Sequence, residues 1–144
     1  MQTRQLIGTL VLLLLALPHP LWAQSLETRK MRAEQEAALG TQVALTNTKC
    51  GTNMTARIDW NTFDEAEVLT QRVLSWCQAA LDAIEDICGD ALGKEALRPQ
   101  VKGLTCAGAP TPAADLKEGE LTFSFSLTPN QNKLLVRTYL EKHL

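Results

Sequence analysis

The sequence predicts an α+β domain: a small three-stranded, antiparallel-leaning sheet covered by about three helices and held by two disulfides. Three observations carry this. Leu69, Val73, Trp76, Cys77, Ala80, Ile84, Ile87 and Cys88 recur at helical spacing between a capping signal at Thr62 and a stop at Gly89. Leu121, Phe123, Phe125 and Leu127 alternate strictly with Thr122, Ser124 and Ser126, the period of a half-buried strand. Four cysteines, Cys50, Cys77, Cys88 and Cys106, follow an N-terminal segment with the pattern of an export signal, so an oxidising compartment and structural disulfides are expected together.

That N-terminal segment has a basic start at Arg4, an apolar run from Leu10 to Leu17, then Pro18, Pro20 and a small residue at Ala23. The run is too short to cross about 30 Å of hydrocarbon, and prolines follow it at once, so residues 1–23 read as a cleaved signal peptide. Gln24 follows where a lipoprotein signal would place cysteine. Residues 24–144 then form one disulfide-stapled domain with no second run long enough for a span, addressed to the periplasm or the exterior. With Arg4 gone, thirteen basic side chains face sixteen acidic ones, a net charge of −3. The longest basic cluster is only Arg29, Lys30 and Arg32, which argues against a nucleic-acid partner.

Each element has a local reason. Ser25 to about Thr48 is rich in helix formers, with Ser25 as N-cap and Ala37, Ala38, Val43 and Leu45 as a thin apolar stripe. Met54 to Trp60 alternates, with Ala56, Ile58 and Trp60 on one side, and predicts a strand. Thr62 with Glu65 three residues on reads as a capping box that starts one long helix at Phe63 and runs to Gly89. A short helical turn over Ala91 to Leu97 is closed by Pro99, a strand follows over Val101 to Cys106, and Ala107 to Ala114 is a proline-bearing loop. Lys117 to Glu120 turns the chain into the Leu121 to Leu127 strand. Thr128, Pro129 and Gln131 then cap a last helix whose buried face is Leu135, Val136, Tyr139 and Leu140.

Helix geometry limits the disulfides. Cys77 and Cys88 share a face but lie about 16 Å apart along one continuous helix, beyond the roughly 7 Å that a bond allows. Each must reach outward. If the strands before and after the helix both run back along it, Cys50 lies near its C-terminal end, which favours Cys50–Cys88 with Cys77–Cys106.

Familiar catalytic sets are hard to build. His143 is the single histidine after residue 23, and no HExxH, CxxC or DxDxDG pattern occurs, so no metal or cofactor is expected. His143 reads instead as a cation near a helix C-terminus. Asp82, Glu85, Asp86 and Asp90 form an acidic patch that could bind a cation, act as an acid/base pair or dock a basic partner. The simpler reading is a solvated helix face. Trp60 and Trp76 read as core residues, or as a pocket lining or interface anchor. Asn53-Met54-Thr55 matches a glycosylation sequon, a pattern short enough to recur by chance.

These absences favour a non-enzymatic exported binding protein, an inhibitor or accessory module whose partner is another exported or envelope protein. A carrier of a small apolar ligand near Trp60, Trp76 and Phe123 is the alternative. A hydrolase using Asp82 and Asp86 comes behind it and would require one of them to have a raised pKa.

Overall fold

The computed structural model describes residues 25–127 and 132–144. The expected signal segment and the Thr128, Pro129 and Gln131 cap lie outside these residues. In chain order the elements are α1 (Leu26–Cys50), β1 (Thr55–Asp59), a 3-10 turn (Trp60–Thr62), α2 (Glu65–Thr70), α3 (Val73–Ile87), α4 (Ala91–Gln100), β2 (Gly103–Gly108), β3 (Ala113–Lys117), β4 (Glu120–Phe125) and α5 (Asn132–His143). The class is α+β, but among the described residues the sheet has four strands and is mixed, and five α-helices accompany it. Its order is β1-β2-β4-β3, with β1 parallel to β2, β2 parallel to β4 and only β3 antiparallel to β4.

The departure from a three-stranded, antiparallel-leaning sheet has a physical cause in β3. Ala114 and Leu116 are half-buried while Ala113, Asp115 and Lys117 are exposed, so this strand is too polar to be central and occupies an edge. The prolines before it make it read as loop. β4 has Leu121, Phe123 and Phe125 fully buried and takes the central place between β2 and β3. The β3–β4 hairpin turns through Glu118 (φ 52°) and Gly119 (φ 89°), the two positive φ values that a tight type I′ turn demands. The outer edge of β3 is covered by α5, where the Leu116 N–H donates to the Tyr139 hydroxyl at 2.8 Å. Tyr139→Phe is expected to cost about 1 kcal/mol and to speed hydrogen exchange at the Leu116 amide. An unchanged exchange rate would contradict this edge cover.

The expected long helix breaks in two. Phe63 is extended and buried, Asp64 is the N-cap, and the reciprocal box is Asp64 with Glu67: Glu67 N–H to Asp64 at 2.7 Å and Asp64 N–H to Glu67 at 2.8 Å. Both Thr62/Glu65 and Asp64/Glu67 have capping-box spacing, and the second prevails because it lets Phe63 reach the core. The chain then turns at Gln71, whose backbone is extended. Val68 and Val73 are both fully buried, yet five helical residues would place them about 140° apart, so an unbroken helix could not bury both on one stripe. α3 therefore starts afresh with no cap from Arg72, and Gln35 of α1 supplies one by accepting the Leu74 N–H at 2.9 Å.

Elsewhere the differences are smaller. Ser25 caps α1 by accepting the Thr28 N–H at 3.1 Å. The buried face of α1 is Thr28, Gln35, Leu39, Val43, Thr46 and Cys50, whereas Leu45 of the expected stripe is 59% exposed. Pro99 sits inside the last turn of α4 instead of ending it, where it is exposed and only one residue from the terminus. Cys50 is bonded to Cys88 and Cys77 to Cys106, with Cα separations of 5.3 and 5.7 Å. The first bond ties the end of α1 to the end of α3, and the second ties the start of α3 to β2. Two disulfides fit an oxidising, exported environment. Among the described residues no helix is long and apolar enough to cross a membrane.

Candidate functional site

The parallel strands set the geometry of the site. Their carboxyl ends lie together, and the chain leaves them through the 3-10 turn after β1, the loop Ala109 to Pro112 after β2, and Ser126 and Leu127 after β4. Crevices at such ends are where open sheets of parallel strands most often bind. Here a cleft of about 330 Å³ is lined by Thr62, Phe63, Glu67, Gly108, Pro110 and Leu127 among others. Its floor is held by cross-links between the exits. The Thr62 hydroxyl accepts the Gly108 N–H at 2.8 Å and donates to the Asp59 carbonyl at 2.6 Å, and the Ala109 N–H donates to the Phe125 carbonyl at 2.8 Å. Gly108 is required by close approach: a Cβ there would lie 2.8 Å from the Phe63 ring and from the Thr62 carbonyl oxygen.

An aromatic cluster backs the cleft. Phe63 lies 6.2 Å from Trp60, edge to face, and 5.7 Å from Phe125. Phe125 also meets Phe123 at 5.2 Å and Trp76, stacked, at 6.5 Å. The three phenylalanines are buried, while Trp60 and Trp76 are half-buried and keep part of their rings in solvent. Trp60 is held from outside by α1: its indole N–H donates to Glu36 at 2.5 Å, and the Arg32 guanidinium lies 5.4 Å over its ring. The structure thus gathers Trp60 and Trp76 into one cluster. Phe63, its bridge, is masked in the sequence by its place between two overlapping capping boxes.

Glu85 and Asp86 lie elsewhere, in the C-terminal half of α3, and serve as clasps, while Asp90 caps α4 by accepting the Gly93 N–H at 2.8 Å. Glu85 accepts from Lys49 at 2.7 Å and from the Thr46 hydroxyl at 2.7 Å, joining α3 to α1. Asp86, one residue on, faces α5 and pairs with Lys133 at 2.9 Å and Arg137 at 3.9 Å. Asp82 is half-buried and makes no hydrogen bond or ion pair among the described residues. The Lys49 hydrogen bond, then that of Thr46, holds the Glu85 carboxyl below its usual range, and the Lys133 hydrogen bond does the same for Asp86.

A carboxylate that titrates lower when folded contributes stability that is whole above about pH 4 and is lost as pH falls through its folded value. Glu85→Gln with Asp86→Asn is therefore expected to flatten the fall in melting temperature between about pH 5 and pH 2. Thermal circular dichroism checks this, and parallel curves for parent and variant would contradict the clasps.

His143 stacks on Tyr139 with ring centroids 4.1 Å apart, and its Nδ1 lies 2.7 Å from the Tyr139 carbonyl oxygen. Asn53 is exposed in the turn before β1. No protein-family model matches the chain, and no curated protein or solved structure matches it.

Proposed function

We propose that this protein is an exported, disulfide-stapled binding domain that engages another exported or envelope protein through the carboxyl end of its parallel strands. The observation that carries the reading is the clustering of half-buried Trp60 and Trp76 around Phe63 and Phe125, with Phe63 itself lining the cleft together with exposed Pro110. Partly exposed tryptophans are common anchors of protein interfaces, and a proline-bearing loop loses little freedom when it binds. The cross-linked strand exits keep that loop close to the geometry it would need in a complex.

The hydrolase alternative finds little support. Of the Asp82 and Asp86 pair that it would use, Asp86 is committed to an ion pair with Lys133 and held low, opposite to the raised carboxylate that acid catalysis at neutral pH needs. Native mass spectrometry on protein gently isolated from its host tests the reading. The expected spectrum shows a chain starting at Gln24, four hydrogens light, with a second polypeptide in fixed stoichiometry. A bare monomer at every concentration would count against a protein partner.

A further inference from the structure

A second concavity runs the length of α5 and reaches the β2 exit loop only at Pro112. Its volume is about 590 Å³, and Pro112, Leu134, Leu135, Tyr139, Lys142 and His143 are prominent in its wall. Most of that wall is hydrocarbon. Leu134 is 55% exposed, which leaves an apolar side chain in water without cover from the described residues. Its basic lining residues, Lys142 and His143, lie together at one end, in the last turn of the helix, with Asn132 at the other end and Thr138 between. Lys142 makes no ion pair among the described residues, whereas Lys133 and Arg137 on the same helix are tied to Asp86 and Glu141. His143 beside it is fixed by its ring stack and its Nδ1 contact, which leaves Nε2 available.

We infer that this groove binds a single aliphatic chain ending in a carboxylate. The stem lies along Leu134, Leu135 and Tyr139, and the carboxylate meets the Lys142 ammonium and the His143 ring. From Leu134 to Lys142 the helix rises about 12 Å, the scale of a medium-length chain. One ammonium and one imidazole suit a compact, singly charged head better than a phosphate, which favours an arginine fork or a nest of backbone N–H groups. The groove spans one helix of three turns, well short of the about 800 Å² per partner that a standard protein interface covers, so a small amphiphile fits it better than a second chain.

Titration of decanoate and of 1-decanol, below their micelle concentrations, into isotope-labelled protein tests this by backbone amide shifts. Decanoate is expected to give saturable shifts at Leu134, Thr138, Lys142 and His143. Lys142→Gln should weaken decanoate roughly fivefold to tenfold and leave 1-decanol unchanged. Leu134→Glu should weaken both with no change in melting temperature, because the side chain is largely exposed. Absence of saturable shifts at the groove, shifts centred on Trp60 and Phe63, or equal weakening of both probes by Lys142→Gln would overturn the assignment. So would a preference for decyl phosphate over decanoate.

Discussion

Reduction of both disulfides is expected to unfold the protein at 37 °C. The bonds close loops of 38 and 29 residues, and the loss of unfolded-state entropy from loops of that length is about 3–4 kcal/mol each. A domain of this size has roughly 5–15 kcal/mol in total, so both bonds together, about 6–8 kcal/mol, account for about half to all of the margin. Their placement adds to the effect. All four sulfur-bearing residues are at most 1% exposed, and the bonds hold α3 at both ends, to α1 at one and to β2 at the other. Replacing one pair by Cys77→Ala with Cys106→Ala should lower the melting temperature by about 10–20 °C and keep the fold. Calorimetry with and without reductant measures both. A reduced protein that melts cooperatively within a few degrees of the oxidised one would mean that the helices and sheet hold each other without the bonds.

The second large effect is expected from Phe125→Ala. This side chain is fully buried at the end of β4 and touches Phe63, Phe123 and Trp76, so truncation removes the hub of the aromatic cluster and leaves a cavity beneath the cleft. The cost is about 3–5 kcal/mol, read as a lower urea midpoint at constant slope. Phe125→Leu should recover a large part of it. Ser124 points to the opposite face of the same strand, and Ser124→Ala should stay within about 0.5 kcal/mol. The Trp76 emission should also shift to longer wavelength in the alanine variant, because its stacked partner is gone. Equal losses for Phe125→Ala and Ser124→Ala would mean that the cluster does not organise this end of the domain.

What could be read in the sequence follows from which forces are local. Strict alternation over Leu121 to Leu127 marks β4 because one face of that strand is buried and the other is not, and the Ser25 cap and the Glu118-Gly119 turn are set by neighbouring residues. β3 was not legible as a strand. Its pairing is earned only at the sheet edge, where Tyr139, far along the chain, covers its outer N–H. Strand direction was not legible either, since β4 reaches its place beside β2 through tertiary burial of Phe123 and Phe125. The α2–α3 break is hidden in the sequence because helical spacing continues from Leu69 to Val73, whereas the core is served by Val68 and Val73. For the candidate site, Trp60, Trp76 and the proline loop stood out as residue types. Their convergence depends on Phe63 leaving the helix and on parallel strands ending together. Asp82, Glu85 and Asp86 looked like one patch in sequence, yet Glu85 and Asp86 turn to different helices.

Site-specific photo-cross-linking in the native host tests the central proposal most directly. A benzophenone amino acid at Thr111, on the loop beside the cleft, is compared with one at Leu92, which is 79% exposed on α4, the helix that leads into the opposite end of β2. The account predicts one discrete adduct from the Thr111 position that disappears when Trp60 is replaced by alanine, and none from the Leu92 position. No adduct at Thr111, or the same adduct from both positions, would contradict it.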